Sequence, residues 1–297
     1  MTMQGKTVLI TGANQGIGKA SAIALGKQGA KLVLVCRNAE KARAAITDIK
    51  EAGAKDVSLI LGDMSSQADV RRIAAEFKAN HDRLDVLLNN AGVLVTSRRT
   101  TVDGIEETLA INHLGYFLLT DLLLETLKAS GPARIVNVAS EAHRGARMHW
   151  DDLQLERGWS SFKAYGQSKL CNILFTRELA RRLEGTNVTA NCLHPGVVAS
   201  GFGQTYGGVF GALMSVAHLF MISTEQGAKT QVYLCSSPEV AGVSGKYFDK
   251  CKERKPNDEA QSDEAASRLW SISEKLISPA KARATVPDRA ASVDRPN

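Results

Sequence analysis

A chain of 297 residues, 44% of them hydrophobic, has the make-up of one large globular domain with a tail. Its net charge of +6, from 37 Lys and Arg against 31 Asp and Glu, is scattered; that argues against nucleic-acid binding but suits a phosphorylated cofactor or an anionic membrane surface. Cys36, Cys171, Cys192, Cys235 and Cys251 are odd in number and lack a C-x-x-C pair, so reduced thiols in a reducing compartment are expected; the six histidines have no ligand spacing, which argues against a metal site.

The β-branched run Thr7-Val-Leu-Ile-Thr11 predicts a buried strand beginning at about Lys6, which leaves no room for a signal peptide. Gly12-Ala-Asn14-Gln15-Gly16-Ile17-Gly18 follows, then an Ala-rich helix to about Gln28. Strand, glycine turn and helix make a phosphate-binding unit, because glycines let the backbone approach a pyrophosphate and the helix N-terminus faces its charge. The spacing is G-x-x-x-G-x-G rather than the commoner G-x-G-x-x-G.

Lys31-Leu-Val-Leu-Val-Cys36 predicts the second strand. A dinucleotide fold places an acidic residue after this strand when the cofactor is NAD. Arg37 stands there instead, and a guanidinium can grip a 2′-phosphate that a carboxylate would repel, so the expected cofactor is NADP rather than NAD. An amphipathic helix over 39–52 leads to a third strand, Val57-Ser-Leu-Ile-Leu61, and to Gly62-Asp63-Met64. Asp63 could bond an adenine amino group or cap the next turn. After a helix from about Gln67 to Asn80 and a fourth strand, Leu84-Asp-Val-Leu-Leu88, comes Asn89-Asn-Ala91-Gly92. Its small and turn-forming residues would let the backbone pack on an adenosine ribose.

One long helical pattern runs from Asp103 to about Lys128 and holds Asn112, a residue mildly unfavourable inside a helix unless it has a task. Arg134-Ile-Val-Asn-Val-Ala139 predicts the fifth strand, with Ser140 at the carboxyl end where ligands of open α/β sheets bind. A polar loop over 141–159 precedes a helix reaching about Leu183. That helix carries Tyr165-Gly-Gln-Ser-Lys169, a tyrosine and a lysine one turn apart on one face. A free phenol has a pKa of about 10, and a nearby ammonium favours its ionised form, so Tyr165 is a candidate general acid/base.

A sixth strand, Val188-Thr-Ala-Asn-Cys-Leu193, ends at His194-Pro195-Gly196, a rigid turn with close backbone approach. Residues 199–223 are Gly-rich and apolar, which predicts a substrate-covering lobe and a hydrophobic substrate. The stretch Val209 to Ile222 is too short to span a bilayer; a buried or lid helix is the reading, with peripheral membrane contact as the alternative. A helix from Thr224 to Cys235, a short strand over Gly245-Lys-Tyr-Phe248 and a last helix from about Asp258 to Leu276 close the domain at 278, and 279–297 reads as a disordered tail.

Together, Thr11 to Gly18, Asn89 to Gly92, Asn112, Ser140, Tyr165-x-x-x-Lys169 and Pro195-Gly196 resemble the short-chain dehydrogenase/reductase superfamily over about residues 5–277. Val35-Cys-Arg-Asn38, Asn137-Val-Ala-Ser-Glu-Ala-His143, Asp151-Asp-Leu153, Ala164 to Leu170 and Pro256-Asn-Asp-Glu259 are similar to its retinol dehydrogenase-like branch. The resemblance implies an α/β fold, a single doubly wound Rossmann-type domain whose seven-stranded parallel sheet is flanked by helices. It implies a dinucleotide-dependent enzyme interconverting a carbonyl and an alcohol, with the preference for NADP resting on Arg37 alone.

In the roles it implies, Tyr165 donates and retrieves the proton, Lys169 lowers its pKa and holds the nicotinamide ribose, and Ser140 bonds the substrate oxygen. Asn112 would hold a water linking Lys169 to solvent, and Val198 would face the nicotinamide carboxamide. Gln15 stands where some NADP-dependent relatives carry a base, and Ser200 where many have a threonine that reaches the cofactor phosphate. Membrane-anchored animal members carry an N-terminal apolar segment not seen here, so a soluble cytoplasmic protein is expected; many relatives are dimers or tetramers, which leaves a homodimer open. The competing readings are a non-catalytic dinucleotide-binding scaffold or redox sensor on the same fold, and an extended-type sugar-nucleotide enzyme, which the glycine spacing disfavours.

Overall fold

The structure, a computed structural model, describes residues 2–196 and 222–278. Short apolar runs become parallel strands because most are buried on both faces of the sheet, the edge strand Asp56–Leu61 being half-buried. In strand β1 (Thr7–Thr11), Val8 and Ile10 face one hydrophobic core and Leu9 the other. The remaining strands are β2 (Lys31–Cys36), β3 (Asp56–Leu61), β4 (Val86–Asn89), β5 (Ala133–Val138), β6 (Val188–His194), β7 (Tyr247–Asp249) and β8 (Lys252–Arg254). They lie in the order β3-β2-β1-β4-β5-β6-β7-β8.

The seven expected parallel strands are joined by an eighth, antiparallel one. Lys-Glu-Arg is exposed throughout and has no apolar alternation to mark it as a strand. It forms because Lys250 and Cys251 both adopt positive φ, 49° and 58°, the geometry of a two-residue hairpin turn, here without the usual glycine. Its charged side chains blunt the sheet edge.

Helices cover both faces. On one side lie α1 (Gly16–Lys27), α2 (Ala39–Glu51) and α6 (Thr224–Ser236); on the other lie α3 (Gln67–Asn80), α4, α5 (Ser161–Arg182) and α7 (Asp263–Ile277). Helix α4 has three parts: Glu107–Leu109, a π-helical turn Ala110–Leu114, and Gly115–Ala129. It starts four residues later than expected, after a bridge between Thr100 and Glu106. Helix α7 packs along α5, where Trp270 meets Phe117 and Phe175 at ring distances of 4.8 and 5.9 Å. Arg71 and Gln67 of α3 bond the carbonyls of Ile277 and Leu276 at its end.

The order reverses between β1 and β4, where helices leave in opposite directions and a crevice opens beyond the strand ends. Asp85 secures the opposite end of this junction. Its carboxylate, 2% exposed, accepts from Thr7 N at 2.9 Å, Lys6 Nζ at 2.9 Å and Arg83 Nη2 at 2.6 Å. Burial pushes its pKa up, but these donors outweigh it and hold the carboxyl below its ordinary value. The resulting stabilisation is present above the ordinary carboxylate range and is lost as pH falls through the lowered pKa. Asp85→Asn should cost about 1–3 kcal/mol at neutral pH, and thermal melts of wild type and variant should converge in acid; a pH-independent gap would show that the charge is not what matters.

Candidate active site

The crevice at the switch point is a cleft of about 700 Å³. Its floor is the turn after β1. Gly12 has φ 68° and sits so close to the turn after β4 that a Cβ would lie 2.8 Å from Ala91 Cα. A Cβ on Gly18 would meet the Gly12 carbonyl at 2.5 Å. Thr11 Oγ1 accepts from the backbone N–H groups of Asn90 and Ala91 at 2.9 and 3.0 Å, and Asn90 Nδ2 returns a bond to the Thr11 carbonyl at 2.9 Å. The two turns are thereby locked to each other. Helix α1 begins at Gly16 with no side-chain cap, whereas α2, α3, α5, α6 and α7 are capped by Asn38, Ser66, Ser160, Ser223 and Ser262. Its first N–H groups are thus left for an anion at the cleft.

At one end of the cleft Arg37 pairs with Asp63 at 3.3 Å. Asp63 also accepts from Ser65 N at 2.8 Å, so it closes its own turn while Ser66 caps α3. Burial raises the Asp63 pKa, but Ser65 and Arg37 together hold it below the usual carboxylate range. Lys41, in the first turn of α2, lines the same end and adds a second cation beside Arg37. Nothing in its amphipathic helical pattern distinguishes it from a solvated face; the only cue is its place one turn after Arg37.

At the other end stand Ser140, Tyr165 and Lys169. Ser140 Oγ accepts from Ala142 N at 3.3 Å and is hydrogen-bonded with Tyr165. Lys169 is 2% exposed; its Nζ donates to the Val138 carbonyl at 2.9 Å and lies 5.6 and 5.9 Å from the ring centres of Tyr165 and Tyr116. Asn172 donates to the same carbonyl at 3.1 Å. Burial pushes the Tyr165 phenol up to about 12, against a smaller downward pull from Ser140, and brings Lys169 down to about 7. Each group alone resists charge here, so the lysine that was expected to lower the tyrosine pKa is itself in need of a counter-charge.

Asn112 lies in the π-turn of α4, a feature frequent at functional sites. Its amide accepts from Val93 N at 2.8 Å and donates to the Val93 carbonyl at 2.9 Å and to Ser168 Oγ at 3.0 Å, so the side chain clamps the strand end beside the cleft. Asn89, expected at the cofactor, points instead into the core toward Thr120 and Asn137; side chains alternate along a strand, and Asn90 is the neighbour that reaches the cleft. Asn14, Gln15, Ile17, Met64, Gly92, Pro195 and Gly196 all line it. Val198 and Ser200 lie outside the described residues, as do most of 199–223 and all of 279–297. No helix among the described residues is long and apolar enough to cross a membrane.

A short chain dehydrogenase family model matches residues 6–207. Human retinol dehydrogenase 13 is 44% identical over 284 residues, covering 93% of this chain and 86% of that protein, and human retinol dehydrogenase 14 is 43% identical over 292 residues, covering 93% and 87%. Among solved structures, an uncharacterized protein from Mycobacterium paratuberculosis superposes with a TM-score of 0.75 at 31% identity, covering 93% of this chain and 94% of that one. The Pseudomonas aeruginosa RhlG/NADP active-site complex follows at 0.68 and 27%, covering 83% and 95%. The chain belongs to the short-chain dehydrogenase/reductase family, whose members use NAD(P). Within it, this is a retinol dehydrogenase-like oxidoreductase acting on CH–OH donors.

The buried lysine can be tested without substrate. Between about 7 and the ordinary lysine value of 10.5 the unfolded chain holds a proton that the folded chain has given up, so stability rises with pH through that window. Wild type should gain melting temperature relative to Lys169→Met as pH is raised from 7 to about 9.5. Groups shared by both proteins cancel in this comparison, and a constant difference would mean that the ammonium is well solvated.

Proposed function

We propose that this protein is an NADP-dependent oxidoreductase that interconverts a carbonyl and an alcohol on an apolar small molecule, with Tyr165 as general acid/base. The observation that carries this reading is the cleft itself. A glycine turn and an uncapped helix occupy its middle, two cations one end, and Ser140, Tyr165 and Lys169 the other. The close approach of Gly12 to Ala91 leaves a cradle that a side chain would fill, which supports a dinucleotide there. Gly12, Gly16 and Gly18 would flank its pyrophosphate, and Arg37 and Lys41 the 2′-phosphate. When bound, the nicotinamide supplies or accepts the hydride.

The residues of this chain handle the proton and the oxygen. Ser140 Oγ accepts from Ala142 N and is bonded to Tyr165; with substrate bound, its hydrogen would turn to the substrate oxygen and steady negative charge there. In reduction the Tyr165 O–H gives its proton to the new alkoxide; in oxidation the phenolate takes the alcohol proton. Burial opposes a lone phenolate and a lone ammonium, so the phenolate forms most readily while Lys169 keeps its proton. The names of the retinol dehydrogenase relatives, together with Val93 and Ile111 at the cleft wall, support an apolar primary alcohol or aldehyde.

Tyr165→Phe should abolish NADPH oxidation with a panel of apolar aldehydes, including nonanal and all-trans-retinal. It should keep the melting shift with NADP, about 2.7 kcal/mol at a hundredfold excess over Kd. Turnover surviving in that variant would remove Tyr165 from the chemistry, and a binding-only protein would show the shift but no turnover in the wild type. Arg37→Ala and Lys41→Ala should each weaken NADP binding by calorimetry about tenfold, or 1.4 kcal/mol, and leave NAD binding unchanged. Equal losses for both cofactors would overturn the preference.

A further inference from the structure

Ser140 is followed by Glu141-Ala-His143, and the side chain of His143 turns back beneath it. His143 is fully buried. Its Nδ1 lies 2.6 Å from the Ser140 carbonyl oxygen, and its Nε2 accepts from the backbone N–H of Asn257 at 3.3 Å. Neither partner can exchange roles: a carbonyl only accepts and a backbone N–H only donates. The ring is thereby held neutral, with its hydrogen on Nδ1. Asn257, some hundred residues away in sequence, also donates its side-chain amide to the His143 carbonyl at 2.9 Å and accepts from Ala260 N at 3.1 Å. Two residues on, Glu259 accepts from Met148 N at 3.1 Å. The segment 256–259 thus grips the whole loop that follows Ser140.

Resting on the functional reading above, we propose that His143 is a positioning residue for Ser140. Its ring, braced by Asn257, fixes the Ser140 backbone so that Oγ stays aimed at Tyr165 and the substrate oxygen. The groups facing the ring come from three elements. Glu141 and Arg144 belong to its own turn, His194 to the end of β6, and Tyr247 of β7 stacks edge-on at 5.0 Å while donating to Glu141 at 2.9 Å. Burial lowers the pKa of His143 below its ordinary 6.5, with Arg144 in the same direction and the Ser140 carbonyl and Glu141 opposing. A second proton, on Nε2, would face the Asn257 N–H and release the brace.

The clamp is separable by substitution in the full chain. An asparagine places a donor near the position of Nδ1, and a glutamine places its terminal amide near the position of Nε2. With NADPH and nonanal, His143→Asn should retain kcat within about threefold, while His143→Gln should lose about 10–100-fold in kcat, the scale of a displaced catalytic group. KM for NADPH and the melting shift with NADP should stay as in wild type for both. Equal kcat losses in the two variants, or losses that track their melting temperatures, would reduce His143 to a packing residue. Nitrogen-15 NMR of the imidazole needs no substrate. It should show Nδ1 protonated and Nε2 bare at neutral pH, with any titration lying below the ordinary 6.5. An Nε2–H form, or titration near 6.5, would overturn the proposal; absence of any wild-type turnover alongside a locked Nδ1–H ring would instead fault the functional reading.

Discussion

An ammonium with 2% of its surface exposed must be given partners, and much of the catalytic half of this protein is arranged to provide them for Lys169. One carbonyl, at Val138 where β5 ends, receives both Lys169 and Asn172. Tyr116 and Tyr165 place ring faces toward the same nitrogen. Gly92 lies against it: a Cβ there would be in ordinary contact with Nζ at 3.5 Å and with Asn112 Oδ1 at 3.4 Å. Asn112 then holds the next residue, Val93, by both its backbone groups. Helix, strand end and loop are thus mutually placed around one charge.

The same carbonyl terminates a polar seam that crosses the sheet. Asn89 donates to Asn137 Oδ1 at 2.9 Å, a pair directly opposite in the β4–β5 register. Asn137 donates to Thr176 Oγ1 at 2.9 Å, and that hydroxyl donates to the Asn172 carbonyl at 2.7 Å. Asn172 returns to Val138. Buried amides of this kind are costly when half satisfied, which makes the register of β4 against β5 and of both against α5 hard to shift. The turn after β4 therefore serves the cleft twice: Asn90 and Ala91 on its surface, Asn89 through the core.

Periodic apolar runs carried the first six strands and the flanking helices to within a few residues, because doubly buried parallel strands and amphipathic helices advertise themselves in composition. The glycine turn, Arg37 and Ser140 were visible because each sits at an element end where its residue type is unusual, and Tyr165 and Lys169 because their spacing places them on one face of a helix. What escaped depends on the folded geometry. Lys41 looks like any solvated helix lysine until the fold places it on the cleft that Arg37 also lines. The switch from Asn89 to Asn90 turns on where β4 ends, one residue of strand phase. Strand β8 rests on a turn that lacks the glycine by which such turns are read. Asn172 and Asn257 are ordinary residues whose partners lie far along the chain.

The two ends of the cleft are built from different materials, and this sets how each can change. Arg37 is 66% exposed and its ion pair with Asp63 is open to solvent and salt, so altering it disturbs little else. The middle is backbone geometry, where a Cβ at Gly12 or Gly18 would collide with main-chain atoms. The catalytic end is buried side chains of fixed polarity held largely on backbone carbonyls, His143 on that of Ser140 and both Lys169 and Asn172 on that of Val138. Removing a member whose partner has no second bond leaves that partner buried and unpaired, a larger cost than losing the bond itself. The Arg37 end can therefore change at little structural cost, whereas the Tyr165–Lys169 end is tied to the core and to segments more than a hundred residues away.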